Sequence, residues 1–89
     1  MADEEKLEEI GRITGFFAKV GAAIIDITNG SLKVGETVRI KGHTTDFEQV
    51  IESMQIEHQP IQEATKGQTV GLKVRDKVRR HDLVYKVTT

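Results

Sequence analysis

The chain has no cysteine, which excludes a disulfide framework, a thiolate zinc site and a cysteine nucleophile together. Aromatic side chains are scarce, limited to Phe16, Phe17, Phe47 and Tyr85. A small core consumes most of them, so stacking platforms for nucleobases are not expected. No apolar run approaches the roughly 20 residues that span a bilayer. The acidic start lacks the cationic region of a signal peptide, so a cytoplasmic location away from membranes is expected. Neither sign of charge prevails: 13 Lys and Arg face 14 Asp and Glu, a formal net charge of −1. Global attraction to nucleic acid or membrane is therefore not written into the total. What is present is 89 residues, 37% of them hydrophobic, enough for one domain with one small core.

The balanced total hides an asymmetry. The first nine residues carry Asp3, Glu4, Glu5, Glu8 and Glu9 against Lys6. With one large apolar side chain, residues 1–8 read as an acidic flexible tail ahead of a domain at 9–89. The last quarter is basic, with Lys73, Arg75, Lys77, Arg79, Arg80 and Lys86 against Asp76 and Asp82.

From Ile10 onward the apolar period is two. Ile10, Arg12, Thr14 and Phe16 alternate with Gly11, Ile13, Gly15 and Phe17, and an apolar run fills 22–27. Val38 and Ile40 share a face, a longer strand is expected over Phe47–Glu57, and Thr69–Val74 and Leu83–Val87 follow. Asn29-Gly30, Gly35, Gly42, Pro60 and Gly67 punctuate these runs. Six short strands in this length predict an all-β domain, and a closed barrel is favoured because it removes exposed edges.

The order of the segments is more specific. Ile10-Gly11-Arg12-Ile13 precedes Gly21-Ala22-Ala23-Ile24-Ile25. Next comes Asn29-Gly30-Ser31-Leu32-Lys33-Val34-Gly35-Glu36-Thr37-Val38-Arg39-Ile40. Ser53-Met54-Gln55-Ile56 then leads to Ala64-Thr65-Lys66-Gly67-Gln68-Thr69-Val70-Gly71-Leu72. Over residues 9–88 this resembles the second, β-barrel domain of elongation factor Tu and the other translational GTPases. It is closer still to small free-standing proteins called translation elongation factor-like, and it is similar to the C-terminal barrel of the collagenase-type peptidase family. The runs Lys41–Phe47 and Glu52–His58 point to that subgroup. The resemblance implies a six-stranded closed barrel of the translation-protein type that contacts tRNA or ribosomal RNA. The phosphate-cradling Gly-x-x-x-x-Gly-Lys-Ser/Thr loop of a GTPase does not occur in the sequence.

Catalytic chemistry finds little support. His43, His58 and His81 are separated by 14 and 22 intervening residues, without the local spacing of a metal-ligand pair. Ser31 and Ser53 lie in no nucleophile elbow. No enzyme activity, cofactor or metal is expected. Nucleic-acid contact is the stronger candidate, because Lys73, Arg75, Lys77 and Arg79 recur at every second position. An extended backbone would present all four on one face and track a phosphate chain. Arg80 and His81 extend this segment, and the polar loop His43-Thr44-Thr45-Asp46 offers hydroxyls and an imidazole. Solvated strand edges and ordinary turn chemistry explain the same residue types. Phe16 and Phe17 should point to opposite faces, leaving one as a partner anchor or a cap on the barrel end. The expected function is a monomeric binding module for tRNA or the ribosome; the alternative is a protein-interaction adaptor docking onto a separately encoded catalytic subunit.

Overall fold

The computed structural model describes residues 6–88 and is all-β, with no helix among them. The strands are β1 (Leu7–Phe17), β2 (Ala22–Ile27), β3 (Ser31–Lys33), β4 (Thr37–Lys41), β5 (Asp46–Val50), β6 (Met54–Ile56), β7 (Gln59–Ile61), β8 (Glu63–Thr65), β9 (Thr69–Lys73) and β10 (Leu83–Val87). Eight of them form one antiparallel sheet in the order β5-β4-β10-β1-β2-β9-β6-β7, and β3 pairs with β8 in a separate ribbon.

β1 is the organising strand, paired with β10 along its first half and with β2 along its second. Two register shifts, between Glu9 and Gly11 and between Ile13 and Gly15, bend it. Bulges of this kind sharpen twist and let one strand serve two neighbours at different angles. The first bulge buries Ile10 and Gly11 in succession, which strict alternation would forbid. At Gly11 a Cβ atom would overlap the Asp26 carbonyl of β2, so a side chain there would push the strands apart.

The inward faces meet in one core. Ile10 and Ile13 of β1 pack with Ala23, Ile25 and Ile27 of β2, Val38 and Ile40 of β4, Val70 and Leu72 of β9 and Val84 of β10. Leu32 and Ala64 from the ribbon close one side. Each fully buried Ile, Leu or Val contributes about 1.5–3 kcal/mol, set against the entropy of ordering the chain.

Two expectations need correction. Six strands undercounts the chain, which forms ten among the described residues. The expected strand over Phe47–Glu57 breaks at Ile51, whose N–H donates to the Glu36 carbonyl at 2.8 Å and whose carbonyl accepts from Gly35 at 2.9 Å. Those bonds hold Ile51 to the residues just before β4, and the chain re-enters the sheet beside β9 through Met54. Pro60 lies inside β7, an edge strand, where its missing N–H costs no ladder bond. The hydrogen-bonded order of the main sheet runs from β5 at one end to β7 at the other.

Residues 7 and 8 of the expected tail lie in β1. Leu7 and Glu8 pair with Val87 and Lys86, and the Thr88 N–H donates to the Lys6 carbonyl at 2.9 Å. Composition reads side chains, whereas this pairing is made by backbone groups. Residues 1–5 of the expected tail lie outside the described residues.

Replacing Gly11 by alanine should cost about 1–3 kcal/mol, the range for overpacking a well-filled interior. A urea unfolding curve checks this, with the midpoint lowered and the slope unchanged.

Candidate interaction surfaces

The basic segment begins where β9 ends, at Lys73. The extended row expected from the spacing does not form, because the backbone bends at Arg75 and Asp76 and turns again at Arg80 and His81. Val74 and Val78, four residues apart, are both buried. These two apolar anchors fold the segment against the core instead of leaving it as a ribbon.

Its backbone groups are individually held. The Arg75 N–H donates to Gln49 Oε1 at 2.8 Å, and the Lys77 N–H donates to Asp76 Oδ1 at 2.8 Å. Asp82, 4% exposed, accepts from the Arg79 N–H at 2.9 Å. Its carboxylate occupies the space a side chain would need at Gly42. Arg80 Nε donates to the Thr14 carbonyl at 3.0 Å. His81 takes a left-handed conformation, φ 77°, while its N–H donates to the Ile13 carbonyl at 2.8 Å. In return the Ile13 N–H donates to the Asp82 carbonyl at 2.8 Å. The segment is thus pinned to the middle of β1.

Some of the expected residues converge and others do not. Thr44, Thr45, Lys77 and Arg79 line one open hollow of about 360 Å³, together with Asp46, Phe47 and Asp76. Thr45 is buried and its carbonyl accepts from Gly42 at 2.7 Å, so it shapes the loop. Lys73 and Arg75 line a second hollow with Gln49, Val50, Glu52 and Val74. His43 is exposed and lies outside the lining of both. Carboxylates therefore face the cations in each hollow and dilute the positive field. Asp46 is further committed to Arg39, whose Nε and Nη2 reach its two oxygens at 2.8 and 3.2 Å. That hydrogen bond, opposed by some desolvation and aided by the charges of Arg39 and Lys41, holds the Asp46 carboxyl below its usual range. Among the described residues no three His, Asp or Glu side chains gather as a metal site would need.

A third concave feature, larger than these two, is apolar. A groove of about 880 Å³ crosses the outer face of β2, β9 and β6, lined by Phe17, Val20, Ala22, Ile24, Ile56 and Gly71 among others. Phe17 and Val20 are 59% and 66% exposed. Phe16 packs on the core while Phe17 faces solvent, as adjacent strand residues must. At the far end Glu57 and His58 form the two-residue turn between β6 and β7, both left-handed at φ 51° and 65°. The exposed half of the Phe16-Phe17 pair could be foreseen, but the groove needs strands distant in sequence and is invisible to local pattern.

The family model for elongation factor Tu domain 2 matches residues 21–81. An uncharacterized protease of Methanocaldococcus jannaschii is 45% identical over 78 residues, covering 86% of this chain and 19% of that protein. A collagenase of Porphyromonas gingivalis is 35% identical over 78 residues, covering 86% of this chain and 22% of the relative. The chain thus spans about a fifth of the length of the curated relatives it matches. Among solved structures it is similar to the C-terminal domain of a Geobacillus thermoleovorans protein assigned to the U32 peptidases. That likeness has a TM-score of 0.84 and 25% identity, over 91% of this chain and 93% of the other.

Because the folded-state pKa of Asp46 is lowered, the stabilisation from its pairing with Arg39 is fully present above the ordinary carboxylate value of 3.8. It is lost as pH falls through the depressed folded value. Arg39→Gln should return the Asp46 titration upward toward that ordinary value, read by carboxyl-carbon NMR across the acid range. The effect on stability stays small, since the pair is solvent-screened.

Proposed function

The chain belongs to the elongation factor Tu domain 2 family, and from that premise we propose that it is a non-catalytic docking module whose partner is a separately encoded catalytic subunit of the U32 peptidase kind. The observation that carries this reading is the exposed apolar groove around Phe17, Val20 and Ile24. Apolar patches of this type on a small domain mark contact with another macromolecule. The similarity to a stretch of larger proteases supports it further, since in those relatives the matching stretch is one part of a longer protein. The module works as a cytoplasmic monomer that seats on its partner.

The architecture in this reading is a barrel closed by side-chain bonds. Gln49 of β5 donates through Nε2 to the Lys73 carbonyl at 2.7 Å and accepts the Arg75 N–H at 2.8 Å. One side-chain amide thereby takes the part of a strand residue between β5 and the end of β9.

A second reading has one specific observation in its favour, the convergence of Thr44, Lys77 and Arg79 on a single hollow. In that reading the basic loops touch tRNA or ribosomal RNA. Asp46 and Asp76 in the same lining weigh against it.

Salt separates the two. The tagged full chain, recovered from its source cells, should retain a U32-type catalytic protein at about 1 M salt, where charges are screened beyond about 3 Å. Binding to total tRNA through about four phosphates would instead fall roughly 100-fold between about 50 and 200 mM salt. Saturable tRNA binding with that slope, and no catalytic protein retained, would favour the RNA reading.

A further inference from the structure

Gly71 sits in the middle of β9, with Ile24 of β2 on one side and Gln55 of β6 on the other. Glycine weakens a strand interior through its backbone entropy and its lack of a packing side chain. Here no structural need offsets that cost. Gly71 does not have a positive φ, and the nearest atom to a Cβ built on it is the Gln55 carbonyl oxygen at 3.8 Å, an ordinary contact. Gly11 differs in this respect, since a Cβ there would overlap the Asp26 carbonyl. What the missing Cβ of Gly71 does is lower the floor of the groove. Glycine in a strand often marks close approach by another backbone.

The surroundings define what approaches. Ala22 and Ile24 form an apolar wall, and Phe17 and Val20 stand exposed at one end. Cations gather at that end: Lys73 lines the groove, Lys19 lies in the turn between Phe17 and Val20, and Arg75 shares the adjoining hollow with Lys73. The carboxylate there is Glu52, while Glu57 lies at the opposite end on a left-handed turn that glycine would form with less strain. The three strands under the groove span about 10 Å at the usual spacing of about 4.8 Å, the length of three or four extended residues.

We propose that this groove binds an extended apolar peptide segment with an acidic flank, its backbone laid over Gly71 and its carboxylates toward Lys19 and Lys73. This rests on the docking-module reading and names the part of the partner that is recognised.

The test titrates the full chain, labelled with ¹⁵N, with two synthetic amidated hexapeptides, Asp-Asp-Ile-Val-Phe-Val and Lys-Lys-Ile-Val-Phe-Val. The acidic peptide should bind saturably, moving the amides of Ala22, Ile24, Gly71 and Lys73, and the lysine peptide at least about fivefold more weakly. Gly71→Val should weaken the acidic peptide at least about tenfold while leaving the melting temperature unchanged or higher. Gly71→Ala should weaken it less, with the melting temperature likewise kept. Equal affinity for Gly71→Val, equal affinity for both peptides, or shifts confined to other faces would each overturn the proposal. So would a lowered melting temperature for both variants, which would make Gly71 structural. Concentration-dependent dimers lost in Gly71→Val would assign the groove to a second copy, and tRNA shifts on the same amides would assign it to nucleic acid; either overturns it. If the catalytic protein is still retained at high salt when no peptide binds, the groove proposal fails and the docking module stands. If the peptide binds and no catalytic protein is retained, the failure lies with the assigned partner.

Discussion

The close approach of β1 to β2 at Gly11 and Asp26 is the constraint on which the rest of the molecule depends. An 11-residue strand with strict alternation would run straight, with one face inward throughout. The bulge at Glu9–Gly11 breaks that alternation, and the absence of a side chain at Gly11 lets the bent strand stay within hydrogen-bonding distance of both neighbours. Ile10 and Ile13 can then both enter the core, although they are three positions apart.

The placement of both surfaces follows from that strand. Its middle holds the basic loop through the reciprocal bonds of Ile13 with His81 and Asp82. Its far end delivers Phe17 to the groove, and the turn after it, which carries Lys19, delivers Val20. The turn itself is closed by the Gly21 N–H donating to the Phe17 carbonyl at 2.9 Å, and Gly21 in turn accepts from Val74 at 2.9 Å. Through Val74 the groove and the basic segment share one support. A disturbance of β1 would therefore reach both surfaces.

Much of this was legible in the sequence because it rests on period two. Val38 and Ile40, Val70 and Leu72, and Val84 all face inward where alternation puts them. Alternation fails where the chain changes neighbours. Ile51 and Met54 are both buried although three apart, because Ile51 bonds to the chain at 35–36 while Met54 pairs with Leu72. The three-residue strands β3, β6, β7 and β8 are too short to show a period at all. Between Lys73 and Arg79 the backbone path is set by the buried Val74 and Val78 and not by the spacing of the cations. The groove is a product of pairing between strands about fifty residues apart, which no local window contains.

The distribution of side chains on the outer face argues for where a partner can sit. The inward faces are filled by aliphatic side chains that are 0–6% exposed, so specific contacts have to be made outside. On one flank, β4 and β5 present Arg39, Asp46 and Glu48 in mutual ion pairs, a surface whose charges are already satisfied and that gains little from a partner. Across β2 and β9 the outward positions are Ala22, Ile24 and Asp26 and Thr69, Gly71 and Lys73, so an apolar stretch of Ala22, Ile24 and Gly71 lies between the hydrogen-bonded Asp26 and Thr69 at one end and Lys73 at the other. Water gains least from solvating that strip, and removing it from water is favourable in proportion to its area. With cations at one end to orient what lies on it, the strip combines an apolar driving force with a polarity. Each is weak alone on a domain of this size, and together they can distinguish one direction of an extended chain from the other.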